Sequence, residues 1–202
     1  MIYVAAFLSL LVLSVDARRS DYMTSISPTA NTHWGDWGPE DWCLNGQYAY
    51  GFSLKIEGTQ HGGDDTALNG IKLHCRSFYG GHFHDITSAV QNWGKWKPSA
   101  YCPKHTFLKS VSMRSEKPQH SGDDTAVNNF DFLCAEPTIT HSGSYRLRGH
   151  GMPWGTWSNR VSCPDGSYIC GIKTQVEKPQ GGGDDTALNG AIFYCCNMID
   201  AQ

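Results

Sequence analysis

Beyond residues 2–15, IYVAAFLSLLVLSV, the chain has no long apolar run. No later segment can therefore supply the roughly 20 apolar residues of a membrane-spanning helix. It has no Asn-x-Ser/Thr sequon, so N-linked glycan is not expected. Lys and Arg, 16 against 19 Asp and Glu, do not cluster along the sequence. A surface that tracks phosphates needs clustered cations, so a nucleic-acid partner is not expected. There is no Gly-x-Ser-x-Gly elbow for a serine nucleophile. No stretch beyond the first run carries a convincing helical period, while Gly, Pro, Ser and Asn punctuate the chain often. That combination predicts an all-β protein.

The apolar run at the start is too short to span comfortably and ends in Val15-Asp16-Ala17, with small residues suited to cleavage. It reads as a secretory signal peptide, residues 1–17, removed to leave residues 18–202 as one extracellular domain. All eight cysteines lie in that domain, and an even number in a secreted chain reads as disulfides.

The cysteines fall into a repeat. GGDDTALNG at 62–70 returns as SGDDTAVNN at 121–129 and as GGDDTALNG at 182–190. Trp34-Gly35, Trp93-Gly94 and Trp154-Gly155 open the copies, and Cys43, Cys102 and Cys163 each follow nine residues later. Asp64, Asp123 and Asp184 come 21 residues after those cysteines, and Cys75, Cys134 and Cys195 eleven after that. The colinear cores are 34–75, 93–134 and 154–195, a threefold repetition that determines the architecture. An equivalent bond should recur in each copy, which predicts Cys43–Cys75, Cys102–Cys134 and Cys163–Cys195. Cys170 and Cys196 are left to pair with each other.

Strand periodicity follows each first cysteine. In copy one, Tyr48, Tyr50, Phe52, Leu54 and Ile56 are expected on one face. The same register gives Phe107, Val111 and Met113 in copy two, then Tyr168, Ile172 and Val176 in copy three. A second strand in each copy should point Ile71, Leu73 and Cys75, then Phe130, Phe132 and Cys134, then Phe193 and Cys195, inward. Short strands are also predicted at 22–27, 83–90 and 145–148, before each Trp-Gly. Three equivalent sheets around one core follow, because one small sheet cannot bury its apolar face alone. A trefoil-like barrel and a three-sided prism both satisfy this.

The acidic set is the first candidate for chemistry. Each copy holds a Glu (57, 116, 177), a Gln (60, 119, 180), an Asp pair (64–65, 123–124, 184–185) and an Asn (69, 128, 189). Paired carboxylates about 5 to 9 Å apart can cleave a glycosidic bond. Against that, Asp and Asn in a Gly-rich turn fix their own backbone. A residue demanded identically three times is more simply demanded by the fold, and that reading is preferred. Glu57, Asp64, Asp65, Glu116, Asp123, Asp124, Glu177, Asp184 and Asp185 are kept as candidate glycan contacts, with no catalytic assignment. The spacing is not that of a calcium loop.

The Trp-Gly-x-Trp residues are expected to cap the core, with sugar stacking as the alternative. Trp42, matched by Tyr101 and Ser162, is the unrepeated aromatic and joins the candidate contacts. His82 and His84 flank Phe83 and would share a strand face, where Asp85 could help them hold a metal. A solvated, variable connection is the preferred reading, so no metal or cofactor is expected.

WGDW at 34–37, WGKW at 93–96 and WGTW at 154–157, with the three DDTA(L/V)N segments and the Cys195-Cys196 pair, resemble the vitelline membrane outer layer protein 1 family over essentially the whole mature chain. The resemblance implies a β-prism of three Greek-key sheets with internal pseudo-threefold symmetry, four disulfides and secretion. In egg-laying animals it implies a place in the outer layer of the vitelline membrane. It suggests a structural or glycan-binding role, with extracellular glycoproteins or oligosaccharides as partners. An enzyme acting on N-acetylglucosamine oligomers, or a defence lectin, is the alternative. Activity should be sought where the copies differ: at Lys55, Arg114 and Gln175, at His61, His120 and Gly181, and in the connections 76–92 and 135–153.

Overall fold

The computed structural model of the protein describes residues 19–30, 32–58, 67–118, 126–137, 144–178 and 187–198; within them every regular element is a strand. Residues 1–17, read as a signal peptide, lie outside the described residues. In chain order the first strands are β1 (Tyr22–Ile26), β2 (Asp36–Trp37), β3 (Asp41–Trp42), β4 (Gln47–Ile56) and β5 (Leu68–Ser77). Next come β6 (His84–Ile86), β7 (Lys95–Trp96), β8 (Ala100–Tyr101), β9 (Phe107–Ser115) and β10 (Val127–Ala135). The last five are β11 (Tyr145–Arg148), β12 (Thr156–Trp157), β13 (Val161–Ser162), β14 (Ser167–Val176) and β15 (Leu188–Asn197).

These strands form three five-stranded antiparallel sheets. The first has the order β6-β5-β4-β7, with β8 also beside β4. Three consecutive strands are thus followed by a fourth that returns beside the first, which is a Greek key. The second sheet repeats it as β11-β10-β9-β12, with β13 on β9. The third closes the molecule from both ends of the chain: β14 and β15 pair with each other, β1 pairs with β15, and β2 and β3 pair with β14. β4, β9 and β14 approach one another at the centre. The trefoil-like alternative is thereby corrected to three separate walls around one core.

The Trp-Gly segments do not belong to the sheet of the copy they open. β7 pairs with β4 and β12 with β9, the central strand of the preceding copy, while β2 of the first copy closes the ring on β14 of the last. The disulfides then cross between sheets. Cys43 follows β3 on the third sheet and its N–H donates to the Cys170 carbonyl, yet its sulfur bonds Cys75 on the first. Cys102–Cys134 joins the first sheet to the second, and Cys163–Cys195 the second to the third. Cys170–Cys196 lies within the third sheet.

The inward residues of β5, β10 and β15 named from periodicity are fully buried. The central strands differ from expectation. Register slips between Ala49 and Gly51, and equivalent slips leave Lys109 and Cys170 as the extra residues in β9 and β14. Such a bulge shifts alternation by one position. Ala49, Leu108 and Ile169 therefore join Phe52, Val111 and Ile172 in the main core. Tyr48 and Tyr50, expected beside Phe52, turn instead to a second cluster. There Tyr48, Phe107 and Tyr168 meet edge-on, with centroids 5.9, 6.5 and 6.1 Å apart. A cation sits over each ring: Arg19 over Tyr48, Arg76 over Phe107 and Lys109 over Tyr168.

Candidate functional site

The six aspartates of the repeated acidic segment, with His61, His120 and Gly181, lie outside the described residues. The described part of the motif builds a strand entry. Ala67, Ala126 and Ala187 all have left-handed backbones, with φ of 47°, 45° and 49°. Their carbonyls accept the backbone N–H of Glu57, Glu116 and Glu177, at 2.9, 2.8 and 2.8 Å. The fully buried Asn69, Asn128 and Asn189 donate Nδ2 to the same carbonyls. The three glutamates stand at the ends of β4, β9 and β14, one to each sheet. Replacing any one of these asparagines by Ala is expected to cost about 1–3 kcal/mol, the penalty for disrupting a buried polar group. Three similar shifts in the urea midpoint would show that the motif serves the fold in every copy; one dominant shift would point to a single special site.

The tryptophans expected to cap the core are on the surface. Trp34, Trp37, Trp93 and Trp96 are between 38% and 48% exposed, and Trp154 and Trp157 are half-buried. Trp37, Trp96 and Trp157 end the two-residue edge strands β2, β7 and β12, and Trp34, Trp93 and Trp154 lie in the turns just before them. The intervening glycine is what touches the protein. A Cβ on Gly35, at φ +83°, would lie 2.3 Å from the backbone at Val176 and Glu177, and Gly94 and Gly155 are equally confined. Lys55, Arg114 and Gln175, singled out because they differ, do one job: each donates to carbonyls at this turn. Lys55 reaches Gln91 and Asn92, Arg114 reaches Gly155, and Gln175 reaches His33 and Gly35. A shared need for an N–H donor, met by three residue types, looks like divergence in sequence.

The imagined metal site at His82, His84 and Asp85 does not form. Asp85 takes His74 Nδ1 at 2.7 Å and lies 3.7 Å from Lys72 Nζ, while Gln47 Nε2 donates to the His82 carbonyl. Among the described residues no group of three or more His, Cys, Asp or Glu is placed to hold a metal.

Around Asp85 the outer face of the first sheet carries a polar and aromatic strip. Tyr101, 48% exposed, covers Gly51, where a Cβ would come within 2.5 Å of its ring. It stacks on Tyr50 at 5.2 Å and adjoins His74 at 5.2 Å. Arg76 lies over Tyr50, exposed Phe83 flanks it, and Lys72 reaches over Trp96. Burial, with Tyr101 beside it, pushes the Tyr50 phenol above its usual pKa, so it remains a hydrogen-bond donor. Trp42, the sequence candidate, holds the corresponding place on the third sheet over Gly171. It is half-buried, stacked on Tyr194 at 4.4 Å with Tyr22 edge-on. Tyr101 was overlooked although it matches Trp42. The available signal was a glycine eight residues after the first cysteine, at Gly51 and Gly171 but not at Ser110: these positions face Tyr101, Trp42 and Ser162 respectively, so the aromatics stand where the facing residue is a glycine.

Single-chain recombinant jacalin shares this three-walled architecture, with a TM-score of 0.53 at 12% identity over 90% of this chain and 98% of that one. The fold is thus a β-prism. In sequence, the chain is 42% identical to the vitelline membrane outer layer protein 1 homolog of Homo sapiens, over 88% of this chain and 85% of that protein. It is 41% identical to the Mus musculus homolog, over 87% and 84% respectively. The family model for vitelline membrane outer layer protein I matches residues 24–198, spanning all three sheets and all four disulfides. With a repeat, a fold and a sequence match that coincide over nearly the whole chain, this protein belongs to the vitelline membrane outer layer protein I family.

Proposed function

We propose that the protein is a secreted, non-enzymatic component of an extracellular coat, such as the outer layer of an egg, that binds neutral amino-sugar chains through the outer face of its first sheet. Residues 1–17 act as the removed secretory leader in this reading, and the four disulfides suit an oxidising compartment. The observation that carries it is the half-exposed Tyr101 ring, held flat against Tyr50 and adjoining His74, whose ring nitrogen bonds the Asp85 carboxylate on the same outer face. An aromatic face takes up the apolar side of a sugar, and a carboxylate next to it accepts hydrogen bonds from hydroxyl or amide groups. Hydrolysis would need a second carboxylate across the sugar, and the side chains paired with Asp85 are His74 and Lys72.

Titration with chitooligosaccharides, with product analysis on the same samples, tests this. Tyr101→Ala is expected to weaken binding about tenfold, roughly 1.4 kcal/mol, while Tyr101→Phe keeps most of it. Glu57→Gln, Glu116→Gln and Glu177→Gln should each leave affinity unchanged, and no cleavage or transfer product should form. Unaltered affinity in Tyr101→Ala would remove the proposed face. Turnover abolished by one of the three glutamate changes would establish an enzyme instead.

A further inference from the structure

The outer face of the second sheet has a different chemistry, invisible in a sequence without runs of cations. Asp131 on β10 has a side chain with 0% exposure, yet three guanidiniums converge on it. Arg146 Nε donates at 2.6 Å and Arg148 Nε at 3.1 Å, both from β11. Arg160, just before β13, donates to both the carboxylate and the carbonyl of Asp131. One negative charge thus sits beneath three positive ones. Arg146 and Arg148 remain 58% and 51% exposed in their side chains, and each bonds Asp131 through Nε, which leaves their terminal amino groups outside that contact. Arg114 on β9 extends the patch. Both it and Arg148 lie over the Trp157 ring, at 5.9 and 5.1 Å. The equivalents of Asp131 are Lys72 and Ile192, so this cluster exists on one wall of the three.

We propose that this face binds a sulfated polysaccharide, with Arg146, Arg148 and Arg114 holding sulfate groups and Trp157 propping the Arg114 and Arg148 guanidiniums. A guanidinium fork matches the oxygen pair of a sulfate as it does a carboxylate or phosphate. Asp131 pre-orients the cations without cancelling them. Among polyanions, a saccharide is favoured over nucleic acid because four disulfides place the chain in an oxidising compartment. This site is independent of the neutral-sugar face around Tyr101.

Calorimetric titration at about 150 mM salt, where exposed charges are screened beyond about 8 Å, tests the proposal. The probes are a heparin-derived octasaccharide, its fully desulfated counterpart, and single-stranded DNA of matched charge. The octasaccharide is expected to bind, and both other probes at least tenfold more weakly. Arg146→Gln with Arg148→Gln should weaken octasaccharide binding at least tenfold and leave chitooligosaccharide binding as it was. Lys95→Gln with Lys178→Gln removes the same charge from exposed positions elsewhere and should change it less than twofold. If the arginine double variant does not fold, the Arg Nε and Trp157 indole signals of the unaltered protein are followed by NMR, where saturable shifts confined to this face are expected. Absence of octasaccharide binding, equally tight DNA binding, equal loss in the lysine variant, or shifts elsewhere would each overturn the proposal.

Discussion

Reduction of the four disulfides is expected to leave the protein unfolded at 25 °C. Three bonds close loops with a sequence separation of 32 and the fourth one of 26. In the chain-entropy model each contributes about 3.5 kcal/mol, roughly 14 kcal/mol together. That is as large as the whole stability of an ordinary domain, about 5 to 15 kcal/mol. The topology strengthens the expectation, because the three repeated bonds run from sheet to sheet around the prism and hold its corners. The sulfurs are buried, so the protein is unfolded in denaturant, reduced, and diluted with thiol present. Near-ultraviolet circular dichroism should stay flat and thermal unfolding should lose its cooperative step. A sharp transition after verified reduction would mean that core packing alone keeps the walls together.

The second large effect is at Asp131. Asp131→Ala is expected to destabilise the protein by about 3 kcal/mol, since removing one partner of a buried ion cluster strands the remaining charges. Partial exposure of the arginines places the estimate at the low end of the range for buried pairs. The same carboxylate gives a pH signature. Burial on its own would raise its pKa, but hydrogen bonds from Arg160, Arg146 and Arg148 outweigh burial and hold it below the usual Asp range. A group with a depressed folded pKa contributes stability above its unfolded pKa, near 4, and loses it as pH falls through the folded value. The wild-type urea midpoint should therefore fall on acidification below about pH 4 by more than that of Asp131→Asn. Parallel curves for the two proteins would show that the cluster adds nothing to stability.

Much of the fold was legible because its residues recur. Ile71, Leu73, Phe130, Phe132 and Phe193 could be placed inward from alternation, and the spacing of Cys43 and Cys75 is the same in every copy. Where legibility failed, a local backbone event intervened. The bulges at Tyr50, Lys109 and Cys170 reverse the pattern for the residues before them, and no residue type common to those positions announces the slip. The tryptophans misled for a related reason: a large apolar residue beside an invariant glycine looks like core, but the glycine makes the close contact while the indoles stay at the edge. Of the candidate contacts, Trp42 belongs to a packed aromatic group on the third sheet, and the glutamates serve strand ends through their backbone N–H groups.

By itself, the sequence determined what is needed three times over: the strand pairs, the inter-copy equivalences, the glycine turns and the number of walls. Tertiary structure decided what each wall presents. Tyr101 meets Gly51 and His74, Trp42 meets Gly171 and Tyr194, and Asp131 meets Arg146, Arg148 and Arg160 only because β strands from separate parts of the chain lie side by side. A Greek key brings the fourth strand back beside the first, so an outer face is assembled across the hydrogen-bond direction rather than along the chain. Symmetry acts on the buried side, where all three copies share one core. Solvent imposes no such requirement, and the three outer faces have become chemically distinct.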